Sequence, residues 1–196
     1  MSGSPPRPST APSNRIVLIG GGVRSGKSSF ALTLARTLGA RRWFIATAQA
    51  FDDEMRARIA RHRDERGREF ATIEEPHALV ATLASIDNAD VVVVDCLTLW
   101  LSNLLLRGDD DARVVTAIDE LTAVLPRLPY PIVLVTNEVG MGVVPDSLLG
   151  RRFRDLTGFM HQRLAAVATD VYLGMLGTLL RIHPAPIVAH FPGATP

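Results

Sequence analysis

The sequence predicts an α/β fold: a single domain with a mostly parallel sheet and helices on both faces. Two observations predict it. Short β-branched runs alternate with stretches of helical apolar spacing through most of the 196 residues. That alternation calls for right-handed crossovers that place helices on both faces of a sheet. The first such run leads straight into a glycine-rich turn that opens a helix. The chain is long enough to bury a core without staples, and its 47% apolar and 21% charged residues are ordinary for a globular domain.

Residues 1–14, MSGSPPRPSTAPSN, are rich in Ser and Pro and lack the apolar centre of a signal peptide. They read as a disordered leader. Arg15 to Ile19 reads as a buried strand. It feeds Gly20, Gly21, Gly22, Val23, Arg24, Ser25, Gly26, Lys27 and Ser28, which from Gly21 fit the phosphate-loop pattern Gly-x-x-x-x-Gly-Lys-Ser. Glycines let the backbone curl so that successive N–H groups point into one concavity, and the start of the helix Ser28 to Leu38 adds partial positive charge. Lys27 would reach the β- and γ-phosphates of a nucleotide and Ser28 would ligate Mg²⁺. The domain is therefore expected to be P-loop NTPase-like (RecA-like).

Trp43 to Ala46 is the second strand. It ends in Thr47-Ala48-Gln49 at the carboxyl edge, where open α/β sheets hold ligands, although Thr47 equally suits a strand-end cap. Asp52 to Arg66 is a charged amphipathic helix with acids first and arginines later. Met55, Ile59 and His62 share one face of it. The arginines read either as a solvated face or as a phosphate-binding set. His62 reads either as a partly buried imidazole or as a nucleophile that takes up a phosphoryl or nucleotidyl group.

Phe70 to Glu74 alternates like a strand and His77 to Ile86 reads as a helix. Val91 to Val94 forms an apolar strand ending in Asp95, the carboxylate that would complete a Mg²⁺ site beside Ser28. Leu97 to Leu106 is a buried helix with Trp100 in the core. Asp109, Asp110 and Asp111 read as solvated and helix-capping rather than metal-binding. Ala112 to Leu125 is the next helix and Ile132 to Val135 the next strand.

That strand runs into Thr136-Asn137-Glu138-Val139-Gly140, a shaped loop in which Glu138 reads as a general base, as the partner of a metal-bound water, or as part of a plain glycine turn. Gly150 to Val167 reads helical, its early arginines either meeting phosphate or pairing with acids. Asp170 to Leu173 and Leu179 to Ile182 close the sheet. Residues 184–196 read as a flexible tail, which leaves 15–183 as the folded domain. A net charge of +1 supplies no field for nucleic acid or an acidic membrane. The longest apolar stretch, Val91 to Leu106, is broken by Asp95, Ser102 and Asn103 and falls short of a membrane span. A lone cysteine, Cys96, excludes an internal disulfide and suits a reducing cytoplasm.

Four stretches together resemble one family: GGGVRSGKSSFA (20–31), FIATAQAFDDEMRARIARHRDER (44–66), VVVDCLTLWLSNLL (92–105) and VTNEVGMGVVPDSLLGRRFRDLTGFMHQRLA (135–165). In wording and order they are similar to the bifunctional adenosylcobinamide kinase / adenosylcobinamide-phosphate guanylyltransferases of cobalamin biosynthesis. The resemblance implies two reactions. ATP or GTP phosphorylates the aminopropanol hydroxyl of adenosylcobinamide, and GTP then transfers GMP to that phosphate through a guanylylated histidine, releasing pyrophosphate. It places that histidine at His62, although some relatives carry one where this chain has Arg61. It also implies GTP contacts at Gly20 to Ser28, Ala46, Thr47, Ala48, Arg63, Asp64, Glu65, Arg66, Glu74 and Asp95, and a homotrimer. Met160-His161-Gln162 departs from the Asn-Gln of many relatives, and the last strand ends Arg181-Ile182-His183 rather than in lysine. Two other readings compete: a P-loop kinase for another small hydroxyl compound, without nucleotidyl transfer, and a nucleotide-gated regulatory module. The chain lacks the Asn-Lys-x-Asp base-specificity motif that would favour the module.

Overall fold

The computed structural model describes residues 15–50, 53, 56–57, 63 and 66–184. Seven strands form one sheet: β1 (Ile16–Gly21), β2 (Arg42–Ala46), β3 (Phe70–Glu74), β4 (Val91–Asp95), β5 (Ile132–Val135), β6 (Asp170–Met175) and β7 (Thr178–His183). Their order is β3-β2-β4-β5-β1-β6-β7, parallel throughout except for the antiparallel β6–β7 pair. The helices are α1 (Lys27–Leu38), α2 (Leu79–Ser85), α3 (Leu97–Leu106), α4 (Asp111–Val124) and α5 (Leu148–Val167). Asp53, Arg56, Ala57, Arg63 and Arg66 are also helical, between β2 and β3.

Strand periodicity divides the core into two faces. Ile16, Leu18, Val92, Val94, Ile132 and Leu134 pack with α2 to α5, whereas Val17, Ile19, Val91, Val93, Val133 and Val135 pack with Ala31, Leu32 and Ala35 of α1. Both faces of the central strands are thus covered, which is why their sequences are unbroken apolar runs rather than alternating ones. Trp100 sits in the core as expected, 1% exposed, and donates its indole N–H to the His77 carbonyl. Asp110 caps α4 by accepting the Arg113 N–H, so the acidic run is a helix start.

Two differences from the sequence reading have local causes. β1 continues through Gly20 and Gly21 because β6 pairs with it as far as Gly21↔Gly174. The helix expected from His77 begins only at Leu79, because the Glu75 carboxylate accepts the N–H groups of His77 and Ala78 and holds them in a turn. The sheet is mostly parallel, as expected; β7 is its antiparallel strand, since Leu176 and Gly177, both at positive φ, reverse the chain in a tight turn directly after β6. Among the described residues no helix is long and apolar enough to cross a membrane.

Candidate active site

All the sequence-predicted groups that can be placed lie along the carboxyl edge of the sheet. The glycine loop leaves β1 with Gly21 at φ +150°, Arg24 at +56° and Gly26 at +88°. This curl turns the Ser25 N–H back onto the Gly22 carbonyl at 3.3 Å and delivers the chain into α1. Gly21 must be glycine for a second reason. A Cβ there would lie 2.5 Å from the Gly174 carbonyl oxygen of β6 and 2.9 Å from Ser25 Oγ. Lys27, the first residue of α1, is 8% exposed and places its Nζ 2.9 Å from the Gly22 carbonyl, so the ammonium lies across the loop.

Sheet register sets the other groups in a row. Ala46 at the end of β2 pairs with Glu74 on one side and with Asp95 on the other, and Asp95 in turn pairs with Val135. Just beyond, Thr47 is fully buried. Its hydroxyl donates to the Cys96 carbonyl at 2.7 Å and accepts the Cys96 N–H at 2.9 Å, while its own carbonyl accepts from Asn103. The Thr47 side chain therefore clasps β2 to the turn after β4, as in the strand-end reading. Burial and the negative charge of Asp95 push the Cys96 thiol up, which keeps it protonated.

Arg66 departs from a plain solvated helix face. It is 5% exposed, its guanidinium lies 3.9 Å over the Phe44 ring, and its Nε has no hydrogen-bond partner among the described residues. Burial lowers its pKa, and the charges of Asp95 and Glu74 oppose that shift. Arg63 reaches Glu74 at 4.0 Å with both side chains largely exposed. Arg151 donates to the carbonyls of Pro145 and Asp146, and Arg152 pairs with Asp111. These two arginines hold the loop and the start of α4. His62, Asp64 and Glu65 lie outside the described residues.

Glu138 stands beside the loop. Its N–H donates to the Gly21 carbonyl at 3.0 Å, Oε1 accepts the Gly140 N–H at 2.6 Å, and Oε2 lies 3.5 Å from Nδ1 of His161. His161 Nε2 lies 2.8 Å from the Thr136 hydroxyl. A carboxylate has no proton to give, so Nδ1 carries the ring proton toward Glu138 and Nε2 accepts from Thr136. Burial lowers the His161 pKa, against the pull of Glu138. Sequence reasoning registered His161 only as a departure in wording. Its position on the buried row of α5, one turn after Thr157 and beside Met160, was the available signal.

Among the described residues no cluster of three His, Cys, Asp or Glu could by itself hold a metal ion. The Ser28 hydroxyl and Asp95 carboxylate are hard oxygen donors of the kind Mg²⁺ takes when phosphate oxygens complete its shell.

Residues 17–182 match the family model described as cobinamide kinase / cobinamide phosphate guanyltransferase. The chain is 46% identical over 171 residues to the bifunctional adenosylcobalamin biosynthesis protein CobP of Pseudomonas aeruginosa, spanning 87% of this chain and 98% of that protein. It is 40% identical over 180 residues to the bifunctional adenosylcobalamin biosynthesis protein CobU of Escherichia coli, covering 85% and 99%. The protein of the same name from Salmonella typhimurium is 41% identical over the same length and shares. Among solved structures, the RadB recombinase aligns at TM-score 0.46 and 15% identity, over 86% of this chain and 86% of that one.

Proposed function

The chain belongs to the cobinamide kinase / cobinamide phosphate guanyltransferase family, and from that premise we propose how its own residues carry the two reactions. One phosphate loop serves both. In the kinase step the amides of Gly21 to Ser28 and the Lys27 ammonium cradle the triphosphate of ATP or GTP, and Glu138 accepts the proton of the attacking hydroxyl. The observation that carries this reading is the Glu138 N–H bond to the Gly21 carbonyl, which ties a candidate base to the loop that would grip the phosphates. Mg²⁺, held through Ser28 and Asp95, would neutralise charge on the phosphates.

In the guanylyltransferase step the His62 imidazole attacks the α-phosphorus of GTP, forms a P–N bond and releases pyrophosphate; the cobinamide phosphate then takes the GMP from it. Splitting one displacement into two suits a neutral imidazole, which attacks phosphorus at pH 7 without a strong base. Arg66 supports this assignment, because a buried guanidinium near Asp95 whose Nε has no partner among the described residues suits a phosphate oxygen. Arg63, Asp64, Glu65 and Glu74 complete the nucleotide side, with Ala46 and Ala48 at the strand edge beneath it and Thr47 fixing that edge from within. A cytoplasmic homotrimer is the accompanying assembly, on the strength of the sequence resemblance.

Incubation of the protein with adenosylcobinamide and GTP tests the whole. Adenosylcobinamide-GDP and pyrophosphate are the expected products, and Lys27→Ala should abolish the phosphorylated intermediate. A product that stops at the phosphate would leave a kinase alone, and unchanged phosphorylation by Lys27→Ala would remove the loop from the reaction.

A further inference from the structure

A cavity of about 400 Å³ opens at the glycine loop, walled by Gly22 to Ser25, by Glu138 and Met141, and by the β6–β7 turn from Leu173 to Gly177. It shares Gly22 to Ser25 with the phosphate cradle and extends from there toward the β6–β7 turn, away from Lys27 and Ser28. Its composition is uneven. One carboxylate, Glu138, and one guanidinium, Arg24, stand among apolar Val23, Leu173, Met175 and Leu176, and Ser25 adds a hydroxyl that is buried and unpartnered among the described residues. Ser25 is 6% exposed, and a buried hydroxyl without a partner is costly unless something fills the space beside it.

The mouth is more apolar still. Val23 is 72% exposed, Met141 74% and Leu176 96%. An apolar patch beside a few convergent polar groups is the usual make-up of a small-molecule site.

We propose that this cavity is the acceptor site of the kinase step: it takes the hydroxyl-bearing arm of the corrinoid, while the apolar rim of Val23, Met141 and Leu176 seats the edge of the macrocycle. The assignment rests on the kinase reading above and adds to it where the acceptor binds. The cavity is too small for the ring, and suits an arm a few atoms long. Within it the arm oxygen forms a bond to the γ-phosphorus, and the bond between that phosphorus and the β–γ bridging oxygen breaks. The hydroxyl proton passes to Glu138 and the nucleoside diphosphate leaves. His161 is a positioning residue here, since its Nδ1–H turns Oε2 of Glu138 while the Gly140 N–H fixes Oε1.

Leu176→Asp tests the site. The residue is almost wholly exposed and at φ +52°, a conformation that Asp tolerates, so the fold should survive. Initial rates should show KM for adenosylcobinamide raised about tenfold or more, with KM for the nucleotide unchanged. Equilibrium dialysis of cobinamide against the protein with a non-hydrolysable GTP analogue should show the same loss, and Met141→Asp should repeat it. Unchanged corrinoid KM and binding in both variants would overturn the assignment, as would a rise confined to the nucleotide KM, which would make the cavity a nucleobase site. Failure of the wild-type protein to phosphorylate cobinamide would overturn the kinase reading itself, and the acceptor site with it.

Discussion

Gly21→Ala perturbs the junction on which the active site is built. The added Cβ would stand 2.5 Å from the Gly174 carbonyl oxygen and 3.0 Å from the Gly174 Cα, both backbone atoms of a paired strand that cannot turn aside. The residue would also have to hold φ +150°, a region that L side chains rarely adopt. Overpacking of this kind and backbone strain each cost ~1–3 kcal/mol, so a loss of at least ~2 kcal/mol is expected. With a urea m-value of about 2 kcal/mol/M, the unfolding midpoint should fall by about 1 M or more. Gly22→Ala is the matched control: a Cβ there meets nothing within 4 Å, and its cost should stay within about 0.5 kcal/mol. Equal midpoints for the two variants would refute the reasoning. Because the Gly21 carbonyl accepts the Glu138 N–H, kinase activity should fall in Gly21→Ala even at temperatures where the protein is fully folded.

Single contacts elsewhere set further expectations. His161→Leu removes the N–H that faces Glu138 and should lower kcat for phosphorylation about tenfold or more, whereas His161→Asn keeps a donor and an acceptor and should restore most of it; equal rates would show that the ring only fills space. Burial lowers the His161 pKa, so the folded chain binds fewer protons there than the unfolded chain. This stability contribution is complete above about pH 7, begins to be lost below ~6.5 and is gone once pH has fallen through the lowered folded value, and His161→Asn should lack that component in urea titrations. Asp90 has the opposite chemistry. Side-chain hydrogen bonds from Arg41 and backbone N–H groups of Arg41 and Ala40 hold its carboxyl down at about 2. Its contribution is present above about pH 4 and fades as pH falls through about 2, and Asp90→Asn should flatten that part of the acid-unfolding curve. Tyr130→Phe removes a buried O–H to the Leu83 carbonyl at 2.5 Å and should cost about 1–2 kcal/mol by denaturation; no change would mean that the carbonyl finds another donor.

The sequence already contained the parts governed by short-range chemistry. The glycine pattern requires a curled loop, four consecutive valines require a strand covered on both faces, and Asp95 at the end of that strand follows from the same run. Register then places Asp95 and Glu74 on either side of Ala46 without further information. What could not be read depends on long-range packing. Thr47 suited a ligand or a cap equally until Cys96 arrived beside it. Arg66 belongs to an arginine-rich stretch that reads as a solvated face, and it packs on the Phe44 ring, which comes from another element. His161 lies 23 residues after Glu138 in the chain (161 − 138), and nothing local links them. The direction of β7 was decided by a two-residue turn whose glycine gave no hint of how the next strand would pair.

Centrally, one loop is held to grip the nucleotide for both steps while a histidine of the helix after β2 takes up GMP. Incubating the protein with GTP labelled at the α-phosphate and assaying it for bound label tests this most directly. Wild type should carry acid-labile label on His62, and His62→Ala should carry none while still phosphorylating cobinamide. Equal labelling of the two proteins, or label that survives acid, would contradict it.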